Sequence, residues 1–215
     1  MFWKKSTSEK VIVSVTRVLF WILILYSGLS DLHNAAAKET DGEIKGGKST
    51  AFQLIDFTLD SPEGALSLRD LKGNVVLIFF GFTSCPDVCP ISLVTISHAF
   101  SYLTDEELKR SRTLFISLDP ERDTMERLKK YTGYFHPNII GVTGTMEELV
   151  RVADIYGVKF EKKEVPDSAL GYLIFHSAKI FVIGTQGELR KTFPHNIDAQ
   201  LLVQQIKSLL KRNQL

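Results

Sequence analysis

Hydrophobic and polar positions fall into three regimes along the chain. Residues 11–30 (VIVSVTRVLFWILILYSGLS) are apolar on all faces of a helix, with an uncharged core of 13 residues from Val18 to Ser30. Residues 38–50 (KETDGEIKGGKST) are polar, contain glycine and lack apolar periodicity, the pattern of a solvated tether. From Ala51 onward, short apolar runs alternate with helical stretches, which predicts an α/β layer architecture.

Within the third regime Val75–Phe80 (VVLIFF) is the strongest strand, a continuous β-branched and aromatic run suited to a central position covered on both faces. The segments FQLIDFTL and LSLRDLKGN before it supply an additional N-terminal hairpin. A loop from Gly81 to Val88 leads into a helix that carries Pro90 in its first turn and runs to about Leu103. Thr113–Leu118 is a second buried strand, Thr124 caps a helix to Phe135, and Asn138–Val142 is a third strand. Thr145 and Glu148 make a capping box for a helix to about Tyr156. Ser177–Ile183 and Gly187–Phe193 pair as a C-terminal β-hairpin, and Asp198–Lys211 closes the chain as an amphipathic helix. The order β-α-β-α-β-α-β-β-α predicts a thioredoxin-like fold: a central mixed sheet flanked by helices, with the two extra hairpins.

The N-terminal regime adds an address. Lys4, Lys5, Lys10 and Arg17 against Glu9 make residues 1–30 net +3, which leaves the remainder at −2 in a chain of net +1. No basic field exists to hold nucleic acid. Thirteen apolar residues suit a signal-peptide core, with Ala35-Ala36-Ala37 as a cleavage site; the 20 residues from Val11 would just span a bilayer of roughly 30 Å. Both readings keep the basic end inside and export the chain beyond Ser30. The chain therefore divides into an anchor or signal segment (1–37), a tether (38–50) and a folded domain (51–215) placed in a bacterial periplasm, held at the inner membrane or released after cleavage.

Only two cysteines occur, Cys85 and Cys89, in the segment Cys85-Pro-Asp-Val-Cys89. They sit where a central strand ends and a helix begins, a position at which the helix N-terminus favours thiolate. Two sulfurs at i and i+4 on one helical face stand about 5–6 Å apart at Cβ, against roughly 3.8 Å in a relaxed disulfide. Such a bridge makes a poor staple and a usable redox switch. A structural disulfide is the ordinary use of a lone cysteine pair in an exported protein. Two thiolates on one face alternatively form a soft, incomplete metal site favouring Cu(I), which one imidazole would complete and adapt to Cu(II).

Five histidines could supply that imidazole. His33 lies near the tether, and His98 lies nine positions beyond Cys89 on the same helix. His136 and His195 read as surface loop positions beside Pro137 and Pro194. His176 ends the Pro166–Phe175 connection and opens the SAKIFVI strand, so a loop could bring it to the cysteine end of the sheet. Spacing alone leaves open whether it is a ligand or a structural histidine.

The segments GFTSCPDVCP, FISLDPERDT, GVTGT and YLIFHS together closely resemble the SCO/SenC family of copper-binding, thioredoxin-fold proteins, over about Phe52 to Leu210. The resemblance implies copper, Cu(I) or Cu(II), bound by Cys85, Cys89 and His176. It implies a supporting role for Asp119 in copper insertion or redox chemistry, without direct ligation. It also implies a membrane-tethered monomer that assists assembly of the binuclear copper centre of cytochrome c oxidase. Its partners would then be the copper-accepting oxidase subunit and a copper donor protein. The same residues support an alternative, a thiol–disulfide oxidoreductase that reduces target cysteines, in which case Cys85 and Cys89 form a redox-active disulfide. A peroxidase fits less well, because Phe82 occupies the position where a peroxiredoxin keeps a threonine. Phe175 and Gly171 depart from the polar residue before the histidine and the Asp-Tyr pair that many members carry, giving the site a more apolar collar.

Overall fold

The computed structural model describes residues 56–166 and 169–212. The expected anchor (1–37) and tether (38–50) lie outside the described residues. Among the described residues no helix is long and apolar enough to cross a membrane.

Strands β1 (Thr58–Ser61) and β2 (Gly64–Ser67) form the N-terminal hairpin. Its turn needs Gly64, whose φ of +116 lies in the region closed to residues with a Cβ. A 3-10 turn (Leu68–Leu71), opened by a Ser67–Asp70 capping box, leads to β3 (Val75–Gly81). Beyond it lie α1 (Val88–Ser101), α2 (Asp105–Lys109), β4 (Ser111–Ser117), α3 (Met125–Phe135), β5 (Ile139–Val142) and α4 (Met146–Ile155). The chain ends with β6 (Phe160–Glu164), β7 (Tyr172–His176), β8 (Lys179–Ile183), β9 (Leu189–Pro194) and α5 (Ala199–Lys211).

The central sheet has the order β5-β4-β3-β8-β9, with β3, β4 and β5 parallel and β8 and β9 antiparallel to their neighbours. Every residue of β3 is buried. Its side chains alternate between two cores: Val75, Leu77 and Phe79 pack with residues of α1, α3 and α5, while Val76, Ile78 and Phe80 pack with residues of α4 and the N-terminal hairpin. Burial of each such side chain is worth about 1.5–3 kcal/mol, which is why the continuous apolar run specifies a strand covered on both faces. The parallel register pairs Gly81 with Ser117, so the loops after β3 and β4 emerge side by side at one end of the sheet. That end carries the site.

The thioredoxin-like α/β layout, both extra hairpins and the place of Pro90 agree with the sequence reading, and two local details differ. The first helix begins at Val88, which puts Pro90 in its first turn as expected. Its missing N–H is still harmless there, because the first turn has no intrahelical acceptors for it to lose. Helix α2 is an additional element, one turn long and held by a Thr104–Glu107 capping box. The expected Pro166–Phe175 connection instead carries most of β7, which pairs with β6 ahead of it as a separate antiparallel ribbon, and His176 ends β7 rather than opening the SAKIFVI strand.

Candidate metal centre

Cys85 lies in the loop ahead of α1, and Cys89 lies in the first turn of that helix. The two do not share a helical face, so the spacing penalty on a bridge expected from that arrangement does not apply. Both cysteines are free thiols, Cys89 buried and Cys85 half-buried. Asp87 stands at the N-cap of α1 but makes no side-chain capping bond. The backbone N–H groups of Asp87, Val88 and Cys89 are directed at the Cys85 sulfur instead. A sulfur thus caps the helix, where donors without intrahelical partners and the positive end of the dipole meet.

This arrangement divides the two thiols. A hydrogen bond from the Cys89 thiol, aided by the three N–H donors, outweighs partial burial and lowers Cys85 to about 6. The same shared proton, together with burial and the neighbouring charge, raises Cys89 far above the usual thiol range. The environment thus favours the thiolate at Cys85 and the thiol at Cys89.

His176 reaches the pair from the far part of the sequence, 87 residues from Cys89. Its Nε2 stands 3.8 Å from Cys89 Sγ, and its Nδ1 lies 3.3 Å from the Ser177 carbonyl oxygen. Nδ1–H donates to that carbonyl, which leaves the Nε2 lone pair facing the sulfur. Burial holds the imidazole below the ordinary histidine range, so it is neutral and able to ligate. The rings of Phe79 and Phe82 meet it edge-on, with centroids 6.4 and 6.3 Å away. Two ligands with metal–sulfur and metal–nitrogen bonds of roughly 2.3 and 2.0 Å on one trigonal ion stand roughly 3.7 Å apart, close to the Cys89–His176 separation. Among the described residues no three histidine, cysteine or carboxylate side chains stand close enough together to hold a metal ion as they are placed. Cys89 is the donor that links the others, through its approach to His176 at 3.8 Å and its hydrogen bond to Cys85. An open cleft of about 170 Å³, lined by Phe82, Cys85, Pro86, Leu173, Phe175 and His176, gives access from solvent.

Gly81 lies directly beneath this pair. A Cβ there would meet Cys89 Sγ and Phe115 Cε2, each at 2.7 Å, so glycine is needed for room.

Asp119 touches none of the three donors in any hydrogen bond or ion pair of the structure. Its carboxylate accepts from Arg122 Nε at 2.5 Å and from the Tyr172 hydroxyl at 2.7 Å, and so braces the start of β7. Asp123, which stands outside the set of candidate residues read from the sequence, is fully buried and holds the cysteine loop. It accepts the Thr83 N–H at 2.8 Å, the Thr83 hydroxyl at 2.5 Å and the Ser117 hydroxyl at 2.5 Å. Arg127 completes that contact by donating to Thr83 Oγ1 and Ser84 Oγ. The second aspartate of DPERDT, four residues ahead of an arginine on the next helix, is the signal that marks it. Among the described residues His98 meets Tyr102 at a tilt and His136 packs on Phe100, away from the cysteine pair, while His33 lies outside the described residues.

The profile of the family described as SCO1/SenC matches residues 46–211. Protein SCO2, mitochondrial, of Saccharomyces cerevisiae is 35% identical over 160 residues, 74% of this chain and 52% of that protein. The SCO2-like protein of Rickettsia conorii is 37% identical over 139 residues, 64% of this chain and 67% of that protein. The chain thus spans about half the length of the yeast relative. Among solved structures, copper-bound ScoI of Arabidopsis thaliana superposes with a TM-score of 0.66 at 32% identity, covering 75% of this chain and 99% of that one. Copper-bound yeast Sco1 gives 0.64 at 31% identity, covering 73% and 87%.

Proposed function

Because the chain belongs to the SCO1/SenC family, we propose that it is a copper carrier, holding one ion on Cys85, Cys89 and His176 and delivering it during assembly of the binuclear copper centre of cytochrome c oxidase. The observation that carries this reading is the approach of His176 Nε2 to Cys89 Sγ at 3.8 Å, with Nδ1 anchored on a backbone carbonyl. A thiol–disulfide reaction has no use for an oriented imidazole lone pair; a soft three-ligand copper site requires one. Copper-bound relatives at 31–32% identity support the choice of metal.

In this reading the thiolate of Cys85 meets the ion first. Cys89 then surrenders its proton as the second Cu–S bond forms, and His176 closes the set. Release to the oxidase subunit reverses the order, with the acceptor's ligands taking the ion as the proton returns to Cys89. With the N-terminal segment as anchor or signal, the domain works on the exported face of a membrane, in a bacterial periplasm. Asp119 supports the site from outside the ligand set, through Arg122 and Tyr172.

A second reading is favoured by one specific observation, the division of the thiols into a reactive Cys85 and a protonated Cys89. It is the division a dithiol reductase uses. Cys85 thiolate attacks one sulfur of a target disulfide and the other target sulfur leaves as a thiol. Cys89, losing its proton, then attacks Cys85 and frees the second target thiol, so two electrons pass to the target.

Cells carrying His176→Ala decide between the two. The carrier reading predicts an oxidase-assembly defect as severe as that of Cys85→Ser or Cys89→Ser. Normal assembly by His176→Ala without added copper would leave the reductase reading in its place.

A further inference from the structure

One nine-residue segment, Asp119 to Arg127, touches both halves of the site without contributing a ligand. Toward the cysteine loop, buried Asp123 takes the N–H and hydroxyl of Thr83, while Arg127 grips Thr83 and Ser84, the two residues directly ahead of Cys85. Toward the histidine strand, Arg122 is held by Asp119. Its Nη1 donates to the carbonyl oxygens of Leu170 at 2.8 Å and Tyr172 at 3.2 Å. Its guanidinium lies 3.6 Å over the Tyr172 ring, and the Tyr172 hydroxyl returns to Asp119.

The β6–β7 ribbon needs such a tie. It pairs with no strand of the central sheet, and its first strand, Phe160–Glu164, is almost wholly exposed. An isolated two-stranded ribbon is marginal in water, so its seating depends on what fastens it. His176 closes this ribbon, whereas Cys89 belongs to the helix packed on the central sheet; no regular pairing fixes the distance between them.

We propose that Asp119–Arg127 is a bracket that sets the cysteine–histidine separation, with Arg122 the positioning residue for His176 and Asp123 the positioning residue for the cysteine loop. The bracket's geometry stands by itself; its consequence for copper rests on the carrier reading above. Arg122, whose guanidinium also faces the Phe82 ring at 5.9 Å, acts on the metal through His176 and the ring packed on it, and Thr83 and Asp123 act through the cysteines. Removing the guanidinium therefore unseats the ring without touching the thiols.

The test uses the full chain, reduced and metal-free, in detergent micelles. In the unsubstituted protein the rings of His176 and Phe82, with centroids 6.3 Å apart, should show nuclear Overhauser contacts. Arg122→Met keeps the aliphatic stem and should lose those contacts; Tyr172→Phe, which removes only the hydroxyl, should weaken them and serves if the first variant folds poorly. Cu(II) titration then reads the consequence. Arg122→Met should lower affinity about tenfold or more, as loss of groups that orient a ligand does, and should have no further effect in a His176→Ala background. Thr83→Val should lower affinity in both backgrounds. Retention of the His176–Phe82 contacts in folded Arg122→Met, or an equal loss of affinity in both backgrounds, overturns the bracket. If the unsubstituted chain binds no Cu(II), the carrier reading fails while the ring contacts still decide the bracket.

Discussion

Replacing His176 with alanine removes one nitrogen donor and little else, which makes its cost calculable. Loss of a group that merely orients a ligand lowers metal affinity 10–100-fold, so loss of the ligand itself should reach at least the upper end, about 100-fold or ~2.7 kcal/mol for Cu(II). Cu(I), which two thiolates satisfy more fully, should lose less. The fold is weakened separately: the Nδ1–H bond to Ser177 and the edge contacts with Phe79 and Phe82 disappear, about 1–2 kcal/mol of apo stability. The assay is an anaerobic competition titration of reduced protein against chelators of known affinity, beside a urea melt of the apo form. A Cu(II) affinity within threefold of the unsubstituted protein, with the melt displaced as expected, would refute the assignment of Nε2 as a ligand.

The same geometry sets three other outcomes. Because Cys85 is lowered to about 6, its alkylation rate should rise as pH passes upward through about 6 and level off by neutrality; Cys89→Ser, which replaces the thiol donor to Cys85, should move the midpoint up. A midpoint near 8.5, the value of a free thiol, would remove the capping argument. Gly81→Ala forces a Cβ to within 2.7 Å of Cys89 Sγ and the Phe115 ring, so it should cost about 1–3 kcal/mol in a urea melt and weaken copper binding as well. Oxidation to the Cys85–Cys89 disulfide should abolish copper binding while raising apo stability by no more than about 2 kcal/mol, the limit set by so short a loop. A larger gain by calorimetry would identify the bridge as a structural staple.

How much of the molecule is legible in its sequence depends on whether each residue's role is local. Val75–Phe80 announces a two-sided strand because burial on both faces leaves no polar position, and the Thr145–Glu148 capping box announces α4 within four residues. The cysteine pair is readable from its place between strand and helix. The β6–β7 ribbon is not. FEKKE is exposed along almost its whole length and YLIFH only partly buried, so neither shows the alternation that marks a strand. Asp123 is harder to read for another reason: its spacing to Arg127 marks it, but its partner Thr83 lies 40 residues away, so what it holds shows only in three dimensions. The sulfur cap on α1 likewise emerges only in three dimensions, since Asp87 is the residue that propensity would choose.

The central claim, that Cys85, Cys89 and His176 together hold copper, is tested most directly by X-ray absorption on the full chain loaded anaerobically with one equivalent of copper. The account predicts a three-coordinate ion with two sulfurs at roughly 2.3 Å and one imidazole nitrogen at roughly 2.0 Å, the nitrogen shell vanishing in His176→Ala. A spectrum with no sulfur shell, or one unchanged by that substitution, would contradict it.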